Sequence, residues 1–185
     1  GVKTDAREAA AWYRQAAERG GHSMAQNNLG CLYRDGRGVI QDYKTASTLF
    51  RMSAEQGNNH ARTNLGWLYE RGYGVPQDYR QALQLYTQAA QEYRDFETGQ
   101  QHAGHPMAQN NLGCLYRDGK GTKPDAFTAV KWFRKSAEAS NHHAHHNLGI
   151  MFERGLGVKP DIRKALEHYE QAINAGNVYS MNAVA

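Results

Sequence analysis

An all-α solenoid of antiparallel helix pairs is the fold class predicted for this chain, and three observations carry that prediction. The segment MAQNNLGCLYRDG occurs twice, letter for letter, at Met24–Gly36 and Met107–Gly119. An LG..Y pattern recurs in four registers: NLGCLYRDGRGV from Asn28, NLGWLYERGYGV from Asn64, NLGCLYRDGKGT from Asn111 and NLGIMFERGLGV from Asn147. A second block follows each, opening on Asp42, Asp78, Asp125 or Asp161 and carrying an alanine and an aromatic four residues apart. A catalytic site uses each residue once, in a distinct role, so verbatim repetition of a long segment points first to architecture.

The first twenty residues, GVKTDAREAAAWYRQAAERG, are another copy of the second block, so the sequence begins in mid-repeat. The expected layout is a half repeat over 1–21 and repeats over 22–58, 59–90, 107–141 and 142–176. An insertion over 91–106 separates the middle two, and a stub over 177–185 follows the last. Each repeat reads as two helices. In the first, Ala25, Leu29, Leu32 and Tyr33 share one face, as do Ala61, Leu65, Leu68 and Tyr69, then Ala108, Leu112, Leu115 and Tyr116, then Ala144, Leu148, Met151 and Phe152. Gly36 and Gly38 are expected to end the first of these helices. A glycine inside each helix (Gly30, Gly66, Gly113, Gly149) costs about 1 kcal/mol of helix propensity, and a cost taken four times predicts close packing there.

The second helix of each repeat opens on the aspartate, whose carboxylate accepts from the first-turn amides and opposes the helix dipole. Pro76, Pro124 and Pro160 precede it and hold the approach extended. The pairs Ala46/Phe50, Ala82/Tyr86, Ala129/Phe133 and Ala165/Tyr169 then face inward, and Gly57 and Gly176 act as stops. A single hairpin cannot bury its apolar stripe, whereas stacked hairpins share a continuous core. The insertion is expected to lengthen the second helix of repeat two by a few turns, then loop back through Gly99 and Gly104 to Pro106. Its Tyr93 and Phe96 either pack that extension or form a partner-specific patch.

The composite pattern A...LG..Y..G.GV..D..KA..WY..AAE.G resembles the Sel-one-like repeats, the tetratricopeptide-related SLR family, over nearly the whole chain. The resemblance implies a right-handed superhelix whose concave face is lined by the first helix of each repeat. It also implies an adaptor for other proteins without an active site or cofactor of its own. Some members staple each repeat with paired cysteines. Here only Cys31 and Cys114 occur, at equivalent positions two repeats apart. Helix stacking at roughly 8–10 Å per helix separates them beyond disulfide reach, so both are predicted to remain thiols.

The side of each first helix opposite the core stripe supplies the candidate partner-binding wall: Asn27, Cys31 and Arg34, then Thr63, Trp67 and Glu70, then Asn110, Cys114 and Arg117, then His146, Ile150 and Glu153. Two readings apply. Arg34–Glu70 and Arg117–Glu153 form ladder pairs between neighbouring helices, or a protein or peptide partner lies along the wall with Trp67 as anchor and Arg117 as polar contact. Asn28, Asn64, Asn111 and Asn147 are expected to satisfy groups in an adjoining hairpin rather than to clamp a partner backbone.

Other chemistry is set aside on sequence grounds. In NHHAHHN, His142 and His146 lie four apart, a spacing that lets two imidazoles reach one metal, but no carboxylate or thiol completes the set, so no metal site is expected. Motifs of the G.S.G, G....GK[ST], HE..H or H.E..C..C type do not occur. The formal charge of +4 is spread among acids rather than blocked, which argues against nucleic acid as a partner. No apolar run approaches the ~18 residues of a membrane span, so no membrane insertion is expected. The alternatives to an adaptor are a rigid spacer or a self-assembly module associating through apolar repeat ends. The compartment stays open: thiols suit a reducing one, and family resemblance to exported bacterial members implies a periplasmic or secreted one.

Overall fold

The structure, a computed structural model, describes residues 5–91, 93–94 and 101–176. Among them run nine helices: α1 (Ala6–Gly20), α2 (Ser23–Asp35), α3 (Tyr43–Glu55), α4 (Asn59–Arg71), α5 (Tyr79–Ala90), α6 (Pro106–Asp118), α7 (Ala126–Glu138), α8 (His142–Arg154) and α9 (Ile162–Asn174). Two short strands, β1 (Tyr93–Arg94) and β2 (Gln101–His102), pair antiparallel between α5 and α6. The chain packs as two compact units, Gly1–Gln88 and Ala89–Ala185.

In the first unit α1, α3, α4 and α5 start where a side chain satisfies orphan amides, whereas α2 follows His22 without a side-chain cap. Asp42 Oδ1 accepts from the Lys44 and Thr45 amides at 2.9 and 3.1 Å, and Asp78 Oδ1 takes those of Arg80 and Gln81. Asn58 does the same for α4. The helices α2 and α4 stop at Gly36 and Gly72, both left-handed, whose amides return to Leu32 and Leu68 carbonyls. Phe50, fully buried, lies over Gly30, where a Cβ would stand 2.7 Å from the ring; Tyr86 lies over Gly66 in the same way. The mid-helix glycines therefore let the aromatic of the second helix settle onto the first. Full burial of such a ring contributes roughly 1.5–3 kcal/mol, more than the helix propensity lost.

The second glycine of each turn has a separate task. Gly38 and Gly74 are left-handed, and a side chain there would run into the backbone at Ala6 and Tyr43, the first residues of α1 and α3. The turns after α2 and α4 thus stack on the starts of α1 and α3. The sequence reading had both glycines ending the helix; only the first of each pair does so.

The second unit repeats these devices. Asp125 and Asp161 cap α7 and α9, Asn141 caps α8, Phe133 lies over Gly113 and Tyr169 over Gly149. Ala129, Val130, Phe133, Leu148 and Met151 form a shared core drawn from two successive hairpins. Ser136 Oγ donates to the Pro106 carbonyl at 2.6 Å, as Ser53 does to Ser23 in the first unit, tying the end of each second helix to the start of its first.

The expected helical extension into the insertion does not form. Helix α5 ends at Ala90, where the Ala89 carbonyl accepts from the His105 amide at 2.8 Å and the Ala90 carbonyl from Gln109 Nε2 at 3.2 Å. Those bonds bring the start of α6 against the end of α5, and the intervening chain turns through the β1–β2 pair. Gly104 is buried there, with no room for a Cβ against Ala90. Phe96, Gly99 and the 177–185 stub lie outside the described residues, as does the Tyr93 side chain.

Candidate interaction surface

The duplicated segment builds the same polar seam twice. In the first unit, Asn64 Nδ2 on α4 donates to Asn27 Oδ1 at 3.0 Å and more weakly to Cys31 Sγ at 3.6 Å. Its Oδ1 accepts from Arg34 Nη1 at 2.9 Å. Arg34 also grips Asp35 side-on, Nε to Oδ1 at 2.7 Å and Nη2 to Oδ2 at 3.0 Å, while Asn27 donates to Asn28. In the second unit Asn147 donates to Asn110 at 2.9 Å and to Cys114 at 3.7 Å, and accepts from Arg117 Nη1 at 3.0 Å. Arg117 holds Asp118 at 2.7 Å and Asn110 donates to Asn111. Every group on the near side of each seam belongs to the thirteen-residue segment; each far side is one asparagine of the next repeat. The repetition encodes a stacking joint.

This placement sorts the twelve wall residues. Asn27, Thr63 and Asn110 are buried, and the two asparagines hold the seam rather than an open face. Cys31, Arg34, Trp67, Glu70, Cys114, Arg117, His146 and Ile150 are half-buried, and Glu153 is exposed. Asn64 and Asn147 serve the adjoining hairpin, as their flank positions suggested. The expected ladder pairs Arg34–Glu70 and Arg117–Glu153 are not what forms. Each arginine is taken by the aspartate beside it and the seam asparagine, and Glu70 and Glu153 turn back to accept from the Tyr86 and Tyr169 hydroxyls at 3.0 and 2.7 Å. Adjacent bidentate geometry outcompetes a longer reach across repeats.

Electrostatics around the seam are quiet. Burial pushes the Cys31 thiol up, with Arg34 opposing, which keeps it protonated and a poor nucleophile. The hydrogen bond to Asp35 holds the Arg34 guanidinium even more firmly charged, and Asp118 does so for Arg117.

One feature of the first unit was missed from the sequence. Tyr73, in the turn after α4, stacks on Tyr43 with ring centroids 4.9 Å apart and meets Trp67 edge-on at 5.4 Å. Arg34 lies over the Trp67 ring at 6.0 Å. Tyr73 keeps 41 % of its surface exposed. Its signal was the GYG turn, where the other repeats carry Arg37, Lys120 and Leu156. In the second unit the matching position of Trp67 is Ile150, packed beside Phe152, Ala165 and Tyr169.

The histidines make pairs rather than a metal cluster. His142 Nε2 lies 3.1 Å from His143 Nε2, and His145 Nδ1 lies 3.2 Å from His168 Nδ1 on α9. Among the described residues no group of three or more His, Cys, Asp or Glu side chains is placed to hold a metal ion. Nor is any described helix long and apolar enough to cross a membrane.

Hairpins joined by buried aromatic-on-glycine contacts and polar seams define an all-α repeat solenoid, in which each repeat completes its neighbour's core. The chain belongs to the Sel1 repeat family: the Sel1 repeat model matches residues 1–21, 23–58, 59–92, 106–141 and 142–177. Solved structures agree. The chain is 32% identical to a Sel1 repeat protein from Oxalobacter formigenes, covering 100% of this chain and 68% of that one with a TM-score of 0.86. It is 38% identical to c5321, a protective antigen present in uropathogenic Escherichia coli strains that displays an SLR fold, with a TM-score of 0.79 over 95% of this chain. That match spans only 35% of the antigen's length. The immunity protein Pa5087 from Pseudomonas aeruginosa, 22% identical over 92% of this chain and 59% of its own with a TM-score of 0.58, shares the fold. No curated protein matches the chain. Sel1 repeat proteins are commonly protein-interaction scaffolds and generally non-catalytic.

Proposed function

We propose that this chain is a non-catalytic scaffold that holds a protein or peptide partner against the first-helix face bearing Cys31, Arg34, Trp67 and Glu70. Resemblance assigns that face to the concave side. The observation that carries the reading is the Tyr43–Tyr73–Trp67–Arg34 cluster. Its rings are fixed by mutual packing, so little side-chain entropy is lost on contact, and its composition matches that of interface hot spots. The polar neighbours are already satisfied internally, which leaves aromatic surface as what a partner gains. In the second unit Cys114, Arg117, His146, Ile150 and Glu153 offer a less aromatic counterpart.

The test compares Trp67→Ala with Lys44→Ala, a change on the exposed side of α3, in affinity capture from a lysate followed by mass spectrometry. The proposal expects the partner to be lost with Trp67→Ala and retained with Lys44→Ala. Equal loss, or loss with neither, contradicts it.

A second reading, self-assembly or a spacer role, is favoured by the apolar side chains exposed on α1 and α9: Trp12 at 64 % and Ile162 at 59 %. Light scattering over a concentration series isolates the self-assembly alternative, since a scaffold or spacer stays monomeric and a self-assembly module grows.

A further inference from the structure

On the other side of α4 from Trp67 lies a cleft of about 330 Å³, floored by α4 and walled by α3 and α5. Its floor carries Arg62. Nη1 of this guanidinium donates to Asn59 Oδ1 at 2.8 Å, whereas its Nε is buried without a hydrogen-bond partner. Buried donors in folded proteins are nearly always satisfied, so an orphan on a charged group lining a cleft calls for an acceptor. Arg62 lines the cleft, so the cleft is the route by which an acceptor reaches this guanidinium, with the lining side chains shifting to admit it to Nε.

The same molecule shows what such an edge prefers. Arg34 uses its Nε and Nη2 edge to hold the Asp35 carboxylate with two bonds, at 2.7 and 3.0 Å. In Arg62 the Nη1 side is occupied and the Nε side is the one left over. Arg51, also lining the cleft, is steadied by a bond to the Tyr69 hydroxyl at 3.1 Å and brings a second guanidinium. Glu55 lines the cleft too, and among the described residues it is ion-paired with neither arginine. Leu65 and Leu85 supply apolar surface beside these charges.

The corresponding place in the second unit makes an internal contrast. Arg62 and Leu85 are replaced there by His145 and His168, and those imidazoles bond each other at 3.2 Å. There the two side chains satisfy each other; here a buried donor is left without a partner.

We propose that the α3–α4–α5 cleft binds a carboxylate on a short aliphatic stem. The carboxylate sits side-on against Arg62, within reach of Arg51, and the stem lies on Leu65 and Leu85. The group could come from a free aliphatic acid or from a polypeptide's glutamate side chain or carboxy terminus, the recognition being the same. This site is separate from the aromatic face and stands or falls without it.

The experiment follows the arginine Nε–H resonances of the intact isotope-labelled chain. Titrants are butyrate, butanamide as its uncharged match, an acetylated peptide with a free carboxy terminus, and an amidated peptide with one internal glutamate. The Arg62 resonance is expected to shift saturably with butyrate and not with butanamide. Arg62→Lys keeps the charge but loses the side-on pair, and is expected to weaken binding by about tenfold or more. If that variant fails to fold, Arg51→Gln at the same cleft carries the same expected weakening. Arg134→Lys, its counterpart in the second unit, is expected to change nothing. Tighter binding of either peptide than of butyrate assigns the carboxylate to a polypeptide, and the reverse order assigns it to a free acid. No saturable Arg62 shift with any carboxylate, or unchanged binding by folded Arg62→Lys and Arg51→Gln, overturns the proposal.

Discussion

At the scale of single residues, the glycines inside the first helices set how closely each hairpin closes. A Cβ at Gly113 would stand 2.6 Å from the ring of Phe133, which is fully buried and has nowhere to move. Overpacking of this kind costs typically 1–3 kcal/mol, against roughly 1 kcal/mol gained in helix propensity, so Gly113→Ala is expected to lower the urea midpoint. At Gly20 the obstacle is instead the ring of exposed His22, a flexible side chain that can swing away, and Gly20→Ala is expected to be neutral or slightly stabilising in the same assay. A second single-residue test lies at Ser140, which holds a positive φ of 57° after α7, where the equivalent positions are Gly57 and Gly176. Removing its Cβ should relieve strain: Ser140→Gly is expected to gain about 1 kcal/mol in thermal or urea unfolding. Such positions were legible as a recurring glycine; what the glycine touches was not, since Phe133 is set by folding and lies 20 residues along the chain.

At the scale of elements, the seams and the α8–α9 hairpin carry the stability arguments. Asn147→Ala leaves the buried Asn110 oxygen without its donor and a guanidinium nitrogen of Arg117 without its acceptor, and each unsatisfied group costs roughly 1–3 kcal/mol. A fall of about 2 kcal/mol or more in unfolding free energy is expected, well beyond that of Asn111→Ala, whose oxygen takes one long bond from Asn110. The His145–His168 pair makes the hairpin sensitive to acid. Burial lowers both imidazoles from 6.5, the charges of His145 and of Arg134 on α7 add to the effect at His168, and bonds to the Ala137 carbonyl (for His145) and to Gln171 (for His168) oppose it. The folded state favours the neutral rings, so their contribution is complete above pH 6.5 and is lost as pH falls below it. His168→Leu, the residue that repeat two has at Leu85, is expected to flatten the loss of melting temperature between pH 7.5 and 5 relative to the parent chain. The starts of the second helices and the helix stops were readable from Asp and Gly because capping is local, while the Asn58 and Asn141 caps emerged only in the structure. The histidine pair was not, because its members sit on different helices, and the end of α5 was not, because the bonds that stop it come from His105 and Gln109 beyond an aperiodic stretch.

At the scale of the whole molecule, five Sel1 matches and two packed units make a chain whose repeats complete one another's cores, and its outward faces are what a partner can meet. The class was legible from the period alone. The candidate surface was legible only in part: Trp67 and Arg34 stood out by position, but Tyr73 reads as a turn residue until the fold stacks it on Tyr43, and the charge alternation that suggested ladder pairs was resolved by neighbours in sequence. The most direct test of the scaffold account places a photoreactive benzoylphenylalanine at Tyr73, in contact with Trp67, or at Phe127, an exposed aromatic at the start of α7. The account predicts a covalent partner adduct from position 73 and none from position 127. An adduct from position 127 alone, or equal adducts from both, would contradict it.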